Sequence, residues 1–204
     1  MTKGAAPSQL ALYVAVTASW TIGLFGYWAQ AQLLDSIMAE FGVAETAAGF
    51  LFSAEMFSYF IALFCAAWPL ARWSRVRTAL LGGVIVVAAN VAAAYAPTFE
   101  ALVLLRVLAG VGGGLVSAAG TASASSSRDP DRTFAVVTVG WGLVGGLEFI
   151  MIPFATESYG TTGGYLLIAG VSLALMPALL GLLPPRPSEG DDAGFFQLIA
   201  TAPN

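Results

Sequence analysis

One arginine within a long uncharged segment constrains this chain more than any other feature. Arg106 is the only charged residue in the segment 101–127, which is long enough to cross a bilayer as a helix. A charge deep in a spanning helix costs roughly 2.5–3.5 kcal/mol on insertion scales, so it normally faces the bundle interior and has a partner there. The sequence therefore predicts a membrane bundle in which Arg106 is buried and paired.

The helix face that carries Arg106 is otherwise built from very small residues. Gly110, Gly113 and Ser117 follow Arg106 at i+4, i+7 and i+11, which places them on its side of a helix. Such a strip either lets another helix approach closely or leaves room for water and a ligand, and the sequence leaves both open. These three residues are therefore candidates for lining a cavity.

Composition excludes several classes of protein. Hydrophobic residues make up 58% of the chain and charged residues 10%, with a mean hydropathy of +0.81, which indicates an integral membrane protein. The chain has no histidine and a single cysteine, Cys65, so a zinc site, a disulfide and a Cys/His catalytic pair are excluded. We expect no metal, no cofactor, no enzymatic activity and no nucleic-acid partner; the expected partners are the lipid bilayer and a small solute.

Six segments are apolar and long enough to cross a membrane, which predicts an all-α fold. An acidic loop, 35–45, joins the first two. For the first segment a cleaved signal peptide is the alternative, since residues 29–31 have the A-x-A form, although a signal peptide's apolar core has only about 7–15 residues. The predicted bundle occupies 1–184, and 185–204 form a tail. The predicted spans are 10–34, 47–71, 78–96, 101–127, 133–156 and 163–183.

The loop cations predict the orientation of the bundle. Apart from Arg106, every Lys and Arg falls in predicted loops or termini on one side of the membrane, and the other side has none. By the positive-inside rule that side is cytoplasmic, so both termini should be cytoplasmic and the number of spans even. The cations are Lys3, Arg72, Arg75, Arg77, Arg128, Arg132 and Arg186.

Two arginine-bearing motifs in register make the chain similar to a known family. The stretch 67–76, AWPLARWSRV, resembles the G-x-x-x-D-R-x-G-R-K signature between helices two and three of major facilitator superfamily transporters, with Arg72 and Arg75 matching and Ala71 in place of the acidic residue. RVLAGVGG, at 106–113, is similar to the helix-four signature R-x-x-Q-G-x-G, with Ala109 replacing glutamine. The loop 33–54 also resembles the family's first connection.

The resemblance implies the amino-terminal half of such a transporter. Family members usually have twelve helices in two halves, each a 3+3 inverted repeat, with the substrate between the halves. The tail resembles the start of the central cytoplasmic linker. Three interpretations remain open: a truncated transporter, a gene fragment, or a half that pairs with a second half or with a parallel copy. The expected location is the bacterial plasma (inner) membrane.

Three ionisable residues lie within the predicted spans, and helix rise places all of them in the outer half of the membrane. Counting inward from the outer ends of their helices, Glu55 and Glu148 lie roughly 12 Å deep and Arg106 roughly 8 Å deep. Tyr27 and Gln30 of the first span reach the same level. Either Arg106 pairs with one carboxylate while the other titrates, or a static ion pair accompanies a glutamate near a water-filled opening.

Transport is the leading functional hypothesis. The resemblance implies secondary transport of a small organic solute, ion-coupled through Arg106, Glu55 and Glu148. The alternative is a self-contained six-helix protein with an assembly or scaffolding role. The two differ in what the polar face meets, because a transporter half needs a partner half there.

Labelling of single cysteines checks the predicted orientation. In a Cys65→Ser background, a cysteine introduced in the loop 72–77 should resist a membrane-impermeant reagent in sealed, right-side-out cells. A cysteine introduced near residue 43 should react. Preferential labelling of the arginine loop would contradict the predicted orientation.

Overall fold

A computed structural model describes residues 8–182, and these are almost entirely helical. The predicted all-α class is confirmed, and no strand occurs within 8–182. The predicted tail, 185–204, lies outside the described residues. The helices are α1 Gln9–Phe41, α2 Glu45–Cys65, α3 Ala67–Arg72, α4 Arg75–Ala93, α5 Phe99–Ser125 and α6 Pro130–Leu182.

Short polar side chains set the starts of three helices. Ser8, Ser74 and Thr98 each accept a hydrogen bond from the backbone N–H three residues on, at 3.2 Å, at the starts of α1, α4 and α5. An N-cap of this kind satisfies a backbone donor that the first turn leaves free. The three helix starts therefore follow from local sequence.

The first helix is longer than predicted. α1 continues to Phe41 and ends at Gly42, which adopts the left-handed conformation with φ 63°. The predicted loop 35–45 is therefore wrong over most of its length, and only residues 42–44 connect α1 to α2. The reason is burial: Ile37 is 1% exposed in the core, while Asp35 and Glu40 lie on the exposed side of the same helix.

The last helix reverses direction at one glycine. Gly160 has φ 60° and ψ −150°, a conformation that side-chain-bearing residues rarely adopt. Val137 and Leu179 belong to one hydrophobic cluster, and Ile152 and Tyr165 to another, although a straight helix would hold Val137 and Leu179 roughly 60 Å apart. We call the two parts the first arm (130–159) and the second arm (161–182).

Within residues 8–182, five helical segments are long and apolar enough to cross a membrane by length and composition. This count treats α2 and α3 as one segment and the whole of α6 as another. Large apolar side chains cover the outside of the bundle. This is the surface expected of a protein whose solvent is lipid. The most exposed of them include Phe57, Phe64, Leu104, Leu143, Ile150 and Phe154.

α5 lies at the centre because its glycines let three neighbours approach closely. It packs against α1, α2 and α4. A Cβ built on Gly113 would lie 2.5 Å from the carbonyl oxygen of Gly23 in α1, and one built on Gly112 would lie 2.7 Å from that of Gly82 in α4. These helix backbones are in direct contact, as small-residue interfaces in membranes permit.

Substitution of Gly112 should test the α4–α5 contact. Gly112→Ala forces a methyl group against the backbone of Gly82, so we expect a loss of about 1–3 kcal/mol in the free energy of unfolding. Gly142→Ala is the matched control, since nothing lies within 4 Å of its added Cβ and alanine favours a helix more than glycine does. Thermal unfolding in detergent measures both, and equal melting temperatures would contradict the contact.

Candidate functional site

Arg106 is fully buried and has a partner for each side of its guanidinium. It is 1% exposed. Its Nε donates to Oε2 of Glu55 at 3.1 Å and its Nη2 to Oε1 of the same carboxylate, while Nη1 donates to Oδ1 of Asn90 at 2.7 Å. The ring of Tyr165 lies 5.2 Å from the guanidinium carbon, within reach of a cation–π interaction. The paired, two-bonded geometry is the strongest that an arginine and a carboxylate can form.

Glu55 also binds a third helix. Gln30 of α1 donates from Nε2 to Oε2 of Glu55. A Cβ on Gly26, one turn before Gln30, would lie 2.6 Å from Nη2 of Arg106, so only glycine leaves space for the guanidinium there. We call Gln30, Glu55, Asn90, Arg106 and Tyr165 the Arg106 network. It joins α1, α2, α4, α5 and the second arm of α6.

Two members of the network were missed by reasoning from the sequence. Asn90 and Tyr165 carry no formal charge, whereas the cost of an intramembrane charge pointed only to Arg106, Glu55 and Glu148. Asn90 donates from Nδ2 to the carbonyl oxygen of Val86 at 2.8 Å, which directs its Oδ1 toward Arg106. An amide within an apolar span was the signal that could have found it, because such a group needs partners there.

Glu148 is buried but stands apart from this network. It is 2% exposed and lies on the first arm of α6, with its carboxyl group at the backbone of Ala29 in α1. Within the described part of the chain its Oε1 has no hydrogen-bond partner, and no ion pair or hydrogen bond joins it to Arg106. The structure therefore brings Arg106 to Glu55 and leaves Glu148 separate.

The small-residue strip of α5 is used for close packing in this structure. Added Cβ atoms on Gly110 and Gly113 would collide with the backbones of α2 and α1 respectively, and the hydroxyl of Ser117 lies against Gly23. The other two candidates for lining a cavity differ from these. Gln30 lines a cavity of about 210 Å³, and Tyr27, which is 43% exposed, lines another of about 310 Å³.

The two arginines of the loop motif have separate contacts. Arg75 is buried and donates from Nη2 to Oγ of Ser126 at 2.7 Å, which joins the start of α4 to the end of α5. Arg72 places its guanidinium carbon 4.4 Å from the ring centre of Trp68, one turn earlier. Both contacts lie at the end of the bundle that the sequence predicts to be cytoplasmic.

A double-mutant cycle should detect the Arg106–Glu55 coupling. Arg106→Ala leaves a buried carboxylate without its counter-charge, so we expect a loss of about 3–5 kcal/mol in stability. Arg106→Ala with Glu55→Gln should lose less than the sum of the single changes, by about 0.5–3 kcal/mol. The same cycle with Glu148→Gln is the control and should be additive. Thermal unfolding in detergent is the measurement, and additivity with Glu55 would contradict the coupling.

Comparison with solved structures shows the fold. The chain superposes on the peptide transporter POT in complex with sulfate, with a TM-score of 0.73 at 17% identity, covering 98% of this chain and 45% of that one. A POT family transporter in complex with 5-aminolevulinic acid gives the same values. A D-xylose-proton symporter gives a TM-score of 0.68 at 14% identity, covering 94% and 53%. The chain thus spans about half the length of each.

The sequence itself shows the family. No curated protein matches the chain. The family model described as Major Facilitator Superfamily, however, matches residues 15–200, a stretch that includes nearly all of the bundle and both arginine motifs. With the resemblance in the sequence and the fold of the solved transporters, this match shows that the chain belongs to the Major Facilitator Superfamily of membrane transporters.

Proposed function

We propose that this chain acts as the amino-terminal half of an ion-coupled secondary transporter for a small organic solute. The observation that carries the proposal is the Arg106 network. At its centre is a fully buried charged pair, and its hydrogen bonds join α1, α2, α4 and α5. Ionisable groups within a membrane are costly, and those that persist commonly mark substrate or ion pathways.

The network favours function over a purely structural role for energetic reasons. Well-packed apolar residues often stabilise a fold as well as a buried ion pair does, so stability alone is a weak reason to place Glu55 and Arg106 there. Loss of the negative charge on Glu55 would weaken its two bonds to Arg106 and the one to Gln30. Such a change loosens α2 from α1 and α5, which is the kind of event that couples a proton to a helix movement.

We further propose six spans arranged as a 3+3 inverted repeat within 1–184. The two arms of α6 are about 45 Å and 33 Å long by helix rise, and each exceeds the roughly 30 Å hydrocarbon thickness of a bilayer. Reversal at Gly160 returns the chain to the side from which the first arm started. An even number of spans also agrees with loop cations on one side only.

The solute path requires a second half in this proposal. In this family the substrate lies between two six-helix halves, and the chain spans about half the length of the solved transporters. A second half, or a parallel copy of this chain, would face α1, α2, α5 and the first arm of α6. The proposed location is the bacterial plasma membrane, with both ends of the bundle cytoplasmic.

Transport in liposomes should depend on assembly and on Glu55. A monomeric sample should move no solute, whereas a paired sample should couple solute flux to proton flux, read with an internal pH-sensitive dye and a panel of neutral, anionic and cationic solutes. Glu55→Gln should abolish the proton flux, since the charged pair with Arg106 is lost. Glu157→Gln, an exposed change on the first arm of α6, should leave it unchanged.

Two results would contradict the proposal. Sustained flux by a demonstrably monomeric sample would show that no second half is needed. Undiminished proton flux in Glu55→Gln would show that the Arg106 network has no part in coupling.

A further inference from the structure

An open pocket on the exposed side of α1 is lined almost wholly by aromatic rings. It has a volume of about 310 Å³ and is lined by Tyr27, Trp28, Ala31, Phe52 and Phe149, from α1, α2 and the first arm of α6. The ring centres of Tyr27 and Phe52 are 5.4 Å apart, and those of Trp28 and Phe149 are 5.8 Å apart. We call this the aromatic pocket. Its volume lies in the range of sites that take small organic ligands.

A buried carboxyl group lies beside the aromatic pocket. Glu148 directly precedes Phe149, and its carboxyl group lies at the backbone of Ala29, the residue after Trp28. Trp28 rests against the backbone of the first arm, where a Cβ on Gly145 would collide with its ring. Glu148 does not itself line the pocket, but it is adjacent in sequence to one lining residue, Phe149, and lies at the backbone beside another, Trp28.

No cation among the described residues balances Glu148. On α1, which packs against it, no charged residue occurs within the run 9–34. Arg106 of α5 is occupied by Glu55 and Asn90, and neither α2 nor the second arm contains a Lys or Arg. With the Glu55–Arg106 pair neutral, Glu148 is the one buried acidic residue within 8–182 that has an unpartnered oxygen.

We propose that the aromatic pocket and Glu148 form a binding site for a monovalent organic cation with an apolar body, such as a quaternary ammonium ion. The site is the substrate site of the transporter, so this inference rests on the proposed function. Aromatic rings attract cations through their negative faces, and Glu148 supplies the counter-charge.

Other solute classes fit the aromatic pocket less well. An anion would find no cationic side chain among the lining residues. A sugar or a peptide needs many hydrogen bonds when it leaves water, and the lining residues offer only the hydroxyl of Tyr27 and the indole N–H of Trp28. A purely apolar molecule would contact the rings, and its affinity would not depend on Glu148. Comparing a cation with an apolar molecule of the same shape is therefore a direct test.

Equilibrium binding to the full chain in lipid nanodiscs tests the inference without any transport. The probes are benzyltrimethylammonium, its uncharged carbon isostere neopentylbenzene, and benzylsulfonate, each corrected for binding to protein-free nanodiscs. We expect saturable binding of the cation, at least tenfold weaker binding of the isostere, and no saturable binding of the sulfonate. Because all the pocket residues lie in this chain, no second half is required.

Variants connect the cation preference to the site. Glu148→Gln should weaken cation binding at least tenfold and leave the isostere unchanged, Glu148→Asp should keep the preference, and Phe52→Ala should weaken the cation and the isostere alike. Glu157→Gln, an exposed acidic residue on the same arm, is the matched control and should bind as the unaltered chain does. Elution and melting profiles show that each variant is folded.

Three results would overturn the inference: no saturable binding of the cation, equal binding of cation and isostere, or an unchanged cation affinity in Glu148→Gln. If proton-coupled flux is nevertheless observed in liposomes, the proposed function stands and only the substrate class is wrong. If binding is found without any flux in a paired sample, the cation site stands and the proposed function is wrong.

Discussion

The bidentate pair between Arg106 and Glu55 is the interaction on which the rest of the bundle depends. A buried guanidinium within a membrane needs acceptors for its donors. Arg106 is 1% exposed and has them on Glu55 of α2 and Asn90 of α4, with the ring of Tyr165 beside it. The pair also restricts its neighbours: Gly26 leaves room for Nη2, and Gly110 lets α2 come close enough to present Glu55. The burial of Arg106 thus requires small residues on two helices.

The two buried glutamates have the same side chain but different surroundings. Glu55 accepts hydrogen bonds from both Arg106 and Gln30, and its charge is balanced within the bundle. Glu148 has an oxygen without a partner in the described region and lies beside aromatic rings. We infer a division of labour in which the first glutamate holds helices together and the second meets the solute.

Much of the fold was predictable because a bilayer restricts what an apolar chain can do. Length and hydropathy predicted the helices, and the cost of an intramembrane charge predicted that Arg106 is buried. The end of α1 was not predictable from the acidic residues near it, because Asp35 and Glu40 are tolerated on the exposed side while Ile37 is held in the core. Hydropathy averages over a helix turn and cannot separate its two sides.

The sequence by itself determined the membrane class, the family, and the presence of three charges that required an explanation. Only the tertiary structure decided which glutamate meets Arg106 and that Asn90 and Tyr165 complete its surroundings. It also decided that four aromatic rings from three helices line one pocket. The physical reason is that depth along a helix follows from residue number at about 1.5 Å per residue. The direction in which a side chain points relative to a neighbouring helix depends on how the helices rotate and cross, which is set by packing between residues far apart in sequence.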